Sequence, residues 1–73
     1  MEYVQIASKN LKRIMQEKSI SVSQLAKLSG VSKTTIYAIL KEKNKVIYLT
    51  TVYYLCKALQ IKLSEFFSPD YIQ

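Results

Sequence analysis

A chain that performs covalent chemistry needs a nucleophile, a base or a metal, and these 73 residues hold little of any. There is no histidine, a single cysteine (Cys56), five Asp/Glu in all, and no glycine-rich loop to cradle a phosphate. That inventory excludes a Cys/His zinc site and offers neither a histidine base nor paired carboxylates in a cleft. No enzyme is expected, and no cofactor, metal or small-molecule ligand, because so short a chain has little room for a pocket. What the sequence holds in number is cations: eleven Lys/Arg give a formal charge of +6, which favours a polyanionic partner. The side chains best arranged to meet one lie in "KTTIYAILK", residues 33–41. At 100° per residue Thr34, Tyr37, Ala38 and Lys41 share one side of a helix, with Lys33 at its leading end, while Ile36, Ile39 and Leu40 share the other. The first side offers a hydroxyl, a phenol, a methyl and ammonium groups. Such a face recognises by hydrogen bonding and contact; it does not react.

The elements that must position this face are helices. One Gly (Gly30) and one Pro (Pro69) are too few for a turn-rich β sandwich or barrel, and almost half the residues are apolar, so the chain is not a disordered tail. No repeat, low-complexity tract or linker interrupts it, and one domain, residues 1–73, is expected. The periodicity predicts five helices. The first covers residues 3–18 as an amphipathic surface helix, with Ala7, Leu11, Ile14 and Met15 inward and Lys9, Lys12, Arg13, Gln16 and Glu17 outward. The second starts at Ser21, an N-cap that forms an S-x-x-Q capping box with Gln24, and Ile20 can staple to Leu25. Its inward residues are Val22, Leu25, Ala26 and Leu28. Gly30 ends it in the left-handed conformation, and the turn there reads as too tight for any side chain. Ser32 caps the third helix, residues 33–41. A lysine-bearing connection, "KEKNKVIY" (41–48), leads to the fourth, residues 49–60, with Leu49, Val52, Leu55, Cys56 and Leu59 inward and Tyr54 and Lys57 outward. The fifth covers residues 62–67, with Leu63 and Phe66 in the core, and Pro69 stops it. Cys56 reads as a small core residue. No apolar run approaches the ~18 residues of a membrane span. "MEYVQIASKN" lacks the basic region and apolar stretch of a secretory leader, so a cytoplasmic protein is expected.

Helix, three-residue turn and helix in succession define a helix-turn-helix. The stretches "LKRIMQEKSISVSQLAKLSGVSKTTIYAIL" and "LTTVYYLCKALQIKLSEFF" resemble the lambda-repressor-like, Cro/CI (Xre) helix-turn-helix domains, over residues 11–67. The most specific part is S-x-x-x-L-A-x-x-x-G-V-S-x-x-T-I at 21–36. The resemblance implies an all-α, compact five-helix bundle in which the third helix enters the major groove of double-stranded DNA and the second lies across the backbone. It also implies that Lys33, Thr34 and Ala38 read bases, with Tyr37 beside them. Lys33 suits guanine O6 and N7, Thr34 a base edge or thymine methyl, and Ala38 a thymine methyl. Phosphates would be held at the start of the second helix by Ser21, Val22 and Ser23, and at the start of the third by Ser32 and Lys33. Lys41, Lys43, Asn44 and Lys45 would flank the backbone from the loop.

Four positions depart from the family pattern. Val22 stands where glutamine is frequent, Lys41-Glu42 where Asn-Gly or Arg-Gly ends the third helix, Val46-Ile47-Tyr48 where the loop is usually basic, and Gln60 where glycine is usual. The function implied is a small sequence-specific transcriptional regulator, a repressor in the first instance. The alternative is the same fold used as a protein-interaction module of antitoxin or anti-repressor type, which the apolar 46–48 stretch favours. Val46, Ile47, Phe67, Tyr71 and Ile72 look surplus to one small core. They either cap the bundle or form a two-fold interface, and a homodimer through the fifth helix and C-terminal tail is expected. Its recognition helices would lie about 34 Å apart.

Overall fold

The computed structural model describes residues 3–43 and 47–67. Among them are five α-helices: α1 (Tyr3–Glu17), α2 (Val22–Ser29), α3 (Lys33–Leu40), α4 (Leu49–Leu59) and α5 (Leu63–Phe66). Each begins or ends within about a residue of the expected bounds. α1 packs against α3 and α5, α2 against α3 and α4, and α4 against α5. The third helix is therefore backed by the first two, and its outer side is left open.

The core is the expected set of apolar stripes. Ala7, Leu11, Ile14 and Met15 of α1 meet Leu25, Ile36, Ile39, Val52, Leu55, Cys56, Leu59 and Phe66. Burying each large aliphatic or aromatic side chain of this set contributes about 1.5–3 kcal/mol. Three residues assigned inward by periodicity are not core. Leu28 is 65% exposed, Leu49 63% and Leu63 43%. Each sits within the first or last two residues of its helix. Ile47 and Phe67, two of the apparent surplus, pack against the core. Val46, Tyr71 and Ile72 lie outside the described residues.

α1 is more than an amphipathic surface helix. Ser8 and Asn10 are wholly buried. They occupy the two edges of its apolar arc, and each meets a different helix. The Ser8 hydroxyl donates to the Leu40 carbonyl at 2.9 Å, and the Asn10 side-chain amide donates to the Phe66 carbonyl at 2.6 Å. One helix thus ties down the last carbonyls of both α3 and α5.

Gly30 lies at φ 76°, and its amide donates to the Ala26 carbonyl at 2.9 Å. A Cβ built on Gly30 would meet no atom within 4 Å. The expectation that the turn is too tight for a side chain is therefore corrected: space is available, and the requirement is the left-handed backbone itself. Three other helix exits place residues with side chains in that region, Ser19 (φ 52°), Glu42 (φ 55°) and Gln60 (φ 58°). Each carries the paired bonds of a Schellman motif. After α1, Ile20 donates to Met15 and Ser19 to Gln16; after α3, Lys43 to Ala38 and Glu42 to Ile39; after α4, Ile61 to Cys56 and Gln60 to Lys57.

Candidate nucleic-acid interface

The first two turns of the interface are set by two serines. Ser21 accepts the Gln24 amide at 3.1 Å, and the Gln24 side chain accepts the Ser21 amide at 2.9 Å, completing the capping box. Ser32 accepts the Thr35 amide at 3.2 Å, and its hydroxyl lies 2.9 Å from that of Thr35. In each case the cap satisfies the third amide of the helix. The amides of Val22 and Ser23, and of Lys33 and Thr34, point along the helix axis with no intrahelical acceptor. Two positive helix ends result. A groove lined by Ser23, Gln24, Ala26, Lys27, Gly30, Val31, Ser32 and Lys33 runs along α2 to the start of α3. No carboxylate lines it. The Gly30 turn joins the C-terminal end of α2 to the N-terminal end of α3.

A second depression lies over the outer side of α3, lined by Thr34, Tyr37, Ala38, Lys41 and Lys43. Lys33 and Thr34 are exposed, Tyr37 is 46% exposed, and Ala38 is half-buried at the floor. The Lys41 ammonium sits 5.6 Å from the centroid of the Tyr37 ring, a cation–π distance that holds both on one side of the helix. Lys27, Lys33, Lys41 and Lys43 have no carboxylate partner among the described residues. Their charge is uncompensated and faces outward.

The structure thus brings together Ser23, Ser32 and Lys33 in the first groove and Thr34, Tyr37, Ala38, Lys41 and Lys43 in the second. Ser21 and Val22 stand at the start of α2, Ser21 engaged by its own helix and Val22 turned half into the core. Asn44 and Lys45 lie outside the described residues. Sequence reasoning missed Lys27, which lines the first groove, and Ser8, which braces the end of α3. Lys27 was legible, since it lies six residues before Lys33 across a tight turn; a serine in an apolar stripe carries no such mark. Cys56 is 4% exposed, and its thiol is pushed up to about 11, first by burial and then by the negative charge of Glu65, so it is a packed core group.

A short exposed helix joined to a second helix by a left-handed turn, with lysine-bearing grooves at its start and along its outer side, is the architecture of a helix-turn-helix nucleic-acid-binding domain. The family model for the Cro/C1-type HTH DNA-binding domain matches residues 10–70, and the chain belongs to that family. No curated protein matches the chain significantly. No helix among the described residues is long and apolar enough to cross a membrane.

Proposed function

We propose that this DNA-binding domain is a sequence-specific transcriptional regulator of repressor type, acting in the cytoplasm on double-stranded DNA as a single domain of residues 1–73. α3 reads the major groove through Lys33, Thr34, Tyr37 and Ala38. Ser21, Val22, Ser23 and Ser32 present amides and hydroxyls to phosphates, and Lys41, Lys43, Asn44 and Lys45 clamp the backbone beyond the groove. The observation that carries this reading is the set of lysines without a carboxylate partner, Lys27, Lys33, Lys41 and Lys43, that lines the two depressions beside Thr34 and Ala38. Backbone contacts supply affinity and register, and the mixed hydroxyl, phenol and methyl face supplies discrimination. The protein acts as a homodimer on a palindrome, with the exposed Leu63 of α5 and the C-terminal tail at the two-fold axis.

A second reading, a protein-interaction module, is favoured by one observation. Tyr48, Leu49 and Tyr53 at the start of α4 are 73%, 63% and 56% exposed, an apolar stretch that no phosphate would choose. Selection of bound duplexes from a random DNA library separates the two. Enrichment of a two-fold symmetric site, with half-sites about one helical turn apart, supports the dimeric regulator. Retention without enrichment refutes sequence-specific reading, and no retention at moderate salt favours the protein partner.

A further inference from the structure

The last turn of α3 accounts for its carbonyls one at a time. The Tyr37 carbonyl accepts the Lys41 amide at 2.9 Å, that of Ala38 the Lys43 amide at 3.0 Å, and that of Ile39 the Glu42 amide at 3.2 Å. These are the bonds a Schellman exit can supply. The Leu40 carbonyl is one such a turn does not reach. Its donor is the Ser8 hydroxyl at 2.9 Å, from a residue 32 positions earlier and wholly buried in α1. The exit also holds Glu42 at φ 55°, a region where a Cβ raises the backbone energy. So the turn that leaves the reading helix is intrinsically strained, and a side chain from another helix fastens it.

That turn carries functional groups on both sides. Lys41 and Lys43 flank Glu42, the Lys43 amide closes the motif, and both lysines line the depression that holds Thr34, Tyr37 and Ala38. Lys41 precedes the left-handed residue and stays on the helix's own face, so it is the distance between the base-facing side chains and Lys43 that depends on the exit angle of α3. Hydrogen bonds to bases weaken steeply once their geometry drifts, so the two engage together only if that angle is fixed.

We propose that Ser8 is a positioning residue for DNA reading: from inside the core it fixes the exit of α3 and so the spacing between the base-facing side chains and Lys43. The proposal rests on the reading of α3 as the DNA-reading helix. Ser8 touches no DNA itself; it contributes to specificity and not to charge.

The test measures the ratio of specific to non-specific affinity, using the selected site and a scrambled duplex of equal length, at a low temperature where circular dichroism shows every variant folded. Ser8→Ala removes the donor and leaves every charge in place. The ratio is expected to fall about tenfold, with binding to the scrambled duplex unchanged. Glu42→Gly, which lets the exit adopt its left-handed residue without a Cβ, is expected to recover most of that ratio in the Ser8→Ala background. Using the ratio cancels the uniform gain in affinity from removing the Glu42 charge. Should Ser8→Ala not fold, Ser8→Cys, of similar size and a much weaker donor, is measured in the same way. A ratio equal to that of the unaltered protein, even with a lower melting temperature, overturns the proposal and leaves Ser8 a purely structural group. A reduced ratio that Glu42→Gly does not recover overturns the link to the exit turn. If the unaltered protein itself shows no preference among duplexes, the DNA-reading assignment fails first, before any variant is made, and the proposal fails with it.

Discussion

Replacing Gly30 by alanine isolates the helix-turn-helix bend from everything packed around it. A Cβ at Gly30 would meet nothing within 4 Å, so the substitution introduces no clash. What remains is the backbone at φ 76°. Holding an L-residue in the left-handed region costs about 1–2 kcal/mol. Against that, alanine restricts the unfolded chain, which returns about 0.4–1 kcal/mol. The net loss is about 1 kcal/mol, and for a domain of this size that lowers the melting temperature by about 4–8 °C. Thermal denaturation followed by far-ultraviolet circular dichroism measures it directly. DNA affinity is compared separately, at a temperature where both proteins are fully folded, because Gly30 itself lines the groove with Ser23, Ser32 and Lys33. A loss above about 3 kcal/mol would mean that the bend has no room for a methyl group, and unchanged stability would mean that the left-handed region carries no strain here. Either result refutes the reasoning.

Other perturbations probe the interface and the core. Thr34→Ala should lower preference at one or two base pairs in a binding-site selection while leaving scrambled DNA bound as before. Lys43→Ala should weaken all sequences alike and reduce the slope of log affinity against log salt by about one; an unchanged slope would remove Lys43 from the phosphate contacts. Phe66→Ala empties a site with no solvent exposure and should cost about 3–5 kcal/mol, a large share of the stability of so small a domain, visible as a collapsed melting transition. The folded thiol of Cys56 is held above its ordinary value of 9.0, at about 11, so the folded state keeps its proton over that interval while the unfolded state loses it. Stability from this group is full below pH 9 and declines as pH rises towards 11, and Cys56→Ala should flatten that alkaline decline in denaturant titrations at successive pH values.

Much of this architecture was legible in the chain because the relevant physics is local. Ser21 with Gln24, Gly30, and Ser32 are caps and breaks whose chemistry is complete within four residues, and the structure forms them as read. The stripes through Leu11, Leu25, Ile36 and Leu55 follow from helical periodicity alone. Periodicity misplaced Leu28, Leu49 and Leu63 because it says which side of a helix is apolar, not whether that side is covered at the helix's ends. It also missed Ser8 and Asn10, whose partners lie 32 and 56 residues away; no local pattern marks a polar group whose acceptor is another helix's last carbonyl. At the interface, the residue types on the face of α3 were readable. Their grouping with Lys43 in one groove, and that of Lys27 with Lys33 in another, was not, since that depends on two inter-helix turns.

The buried hydroxyl and amide of α1 bear on how portable the helix-turn-helix is. Residues 21–41 look like a cassette that could be grafted onto another scaffold, and the caps at Ser21 and Ser32 would travel with it. The clasp at Leu40 would not, because its donor belongs to a helix upstream of the cassette. During synthesis that donor emerges first and waits for its acceptor, and α5 is latched to the same helix last, through Asn10 and Phe66. The smallest unit that carries α3 with its last carbonyl clasped therefore begins in the first helix, and transplanting that ending means transplanting its N-terminal strut as well.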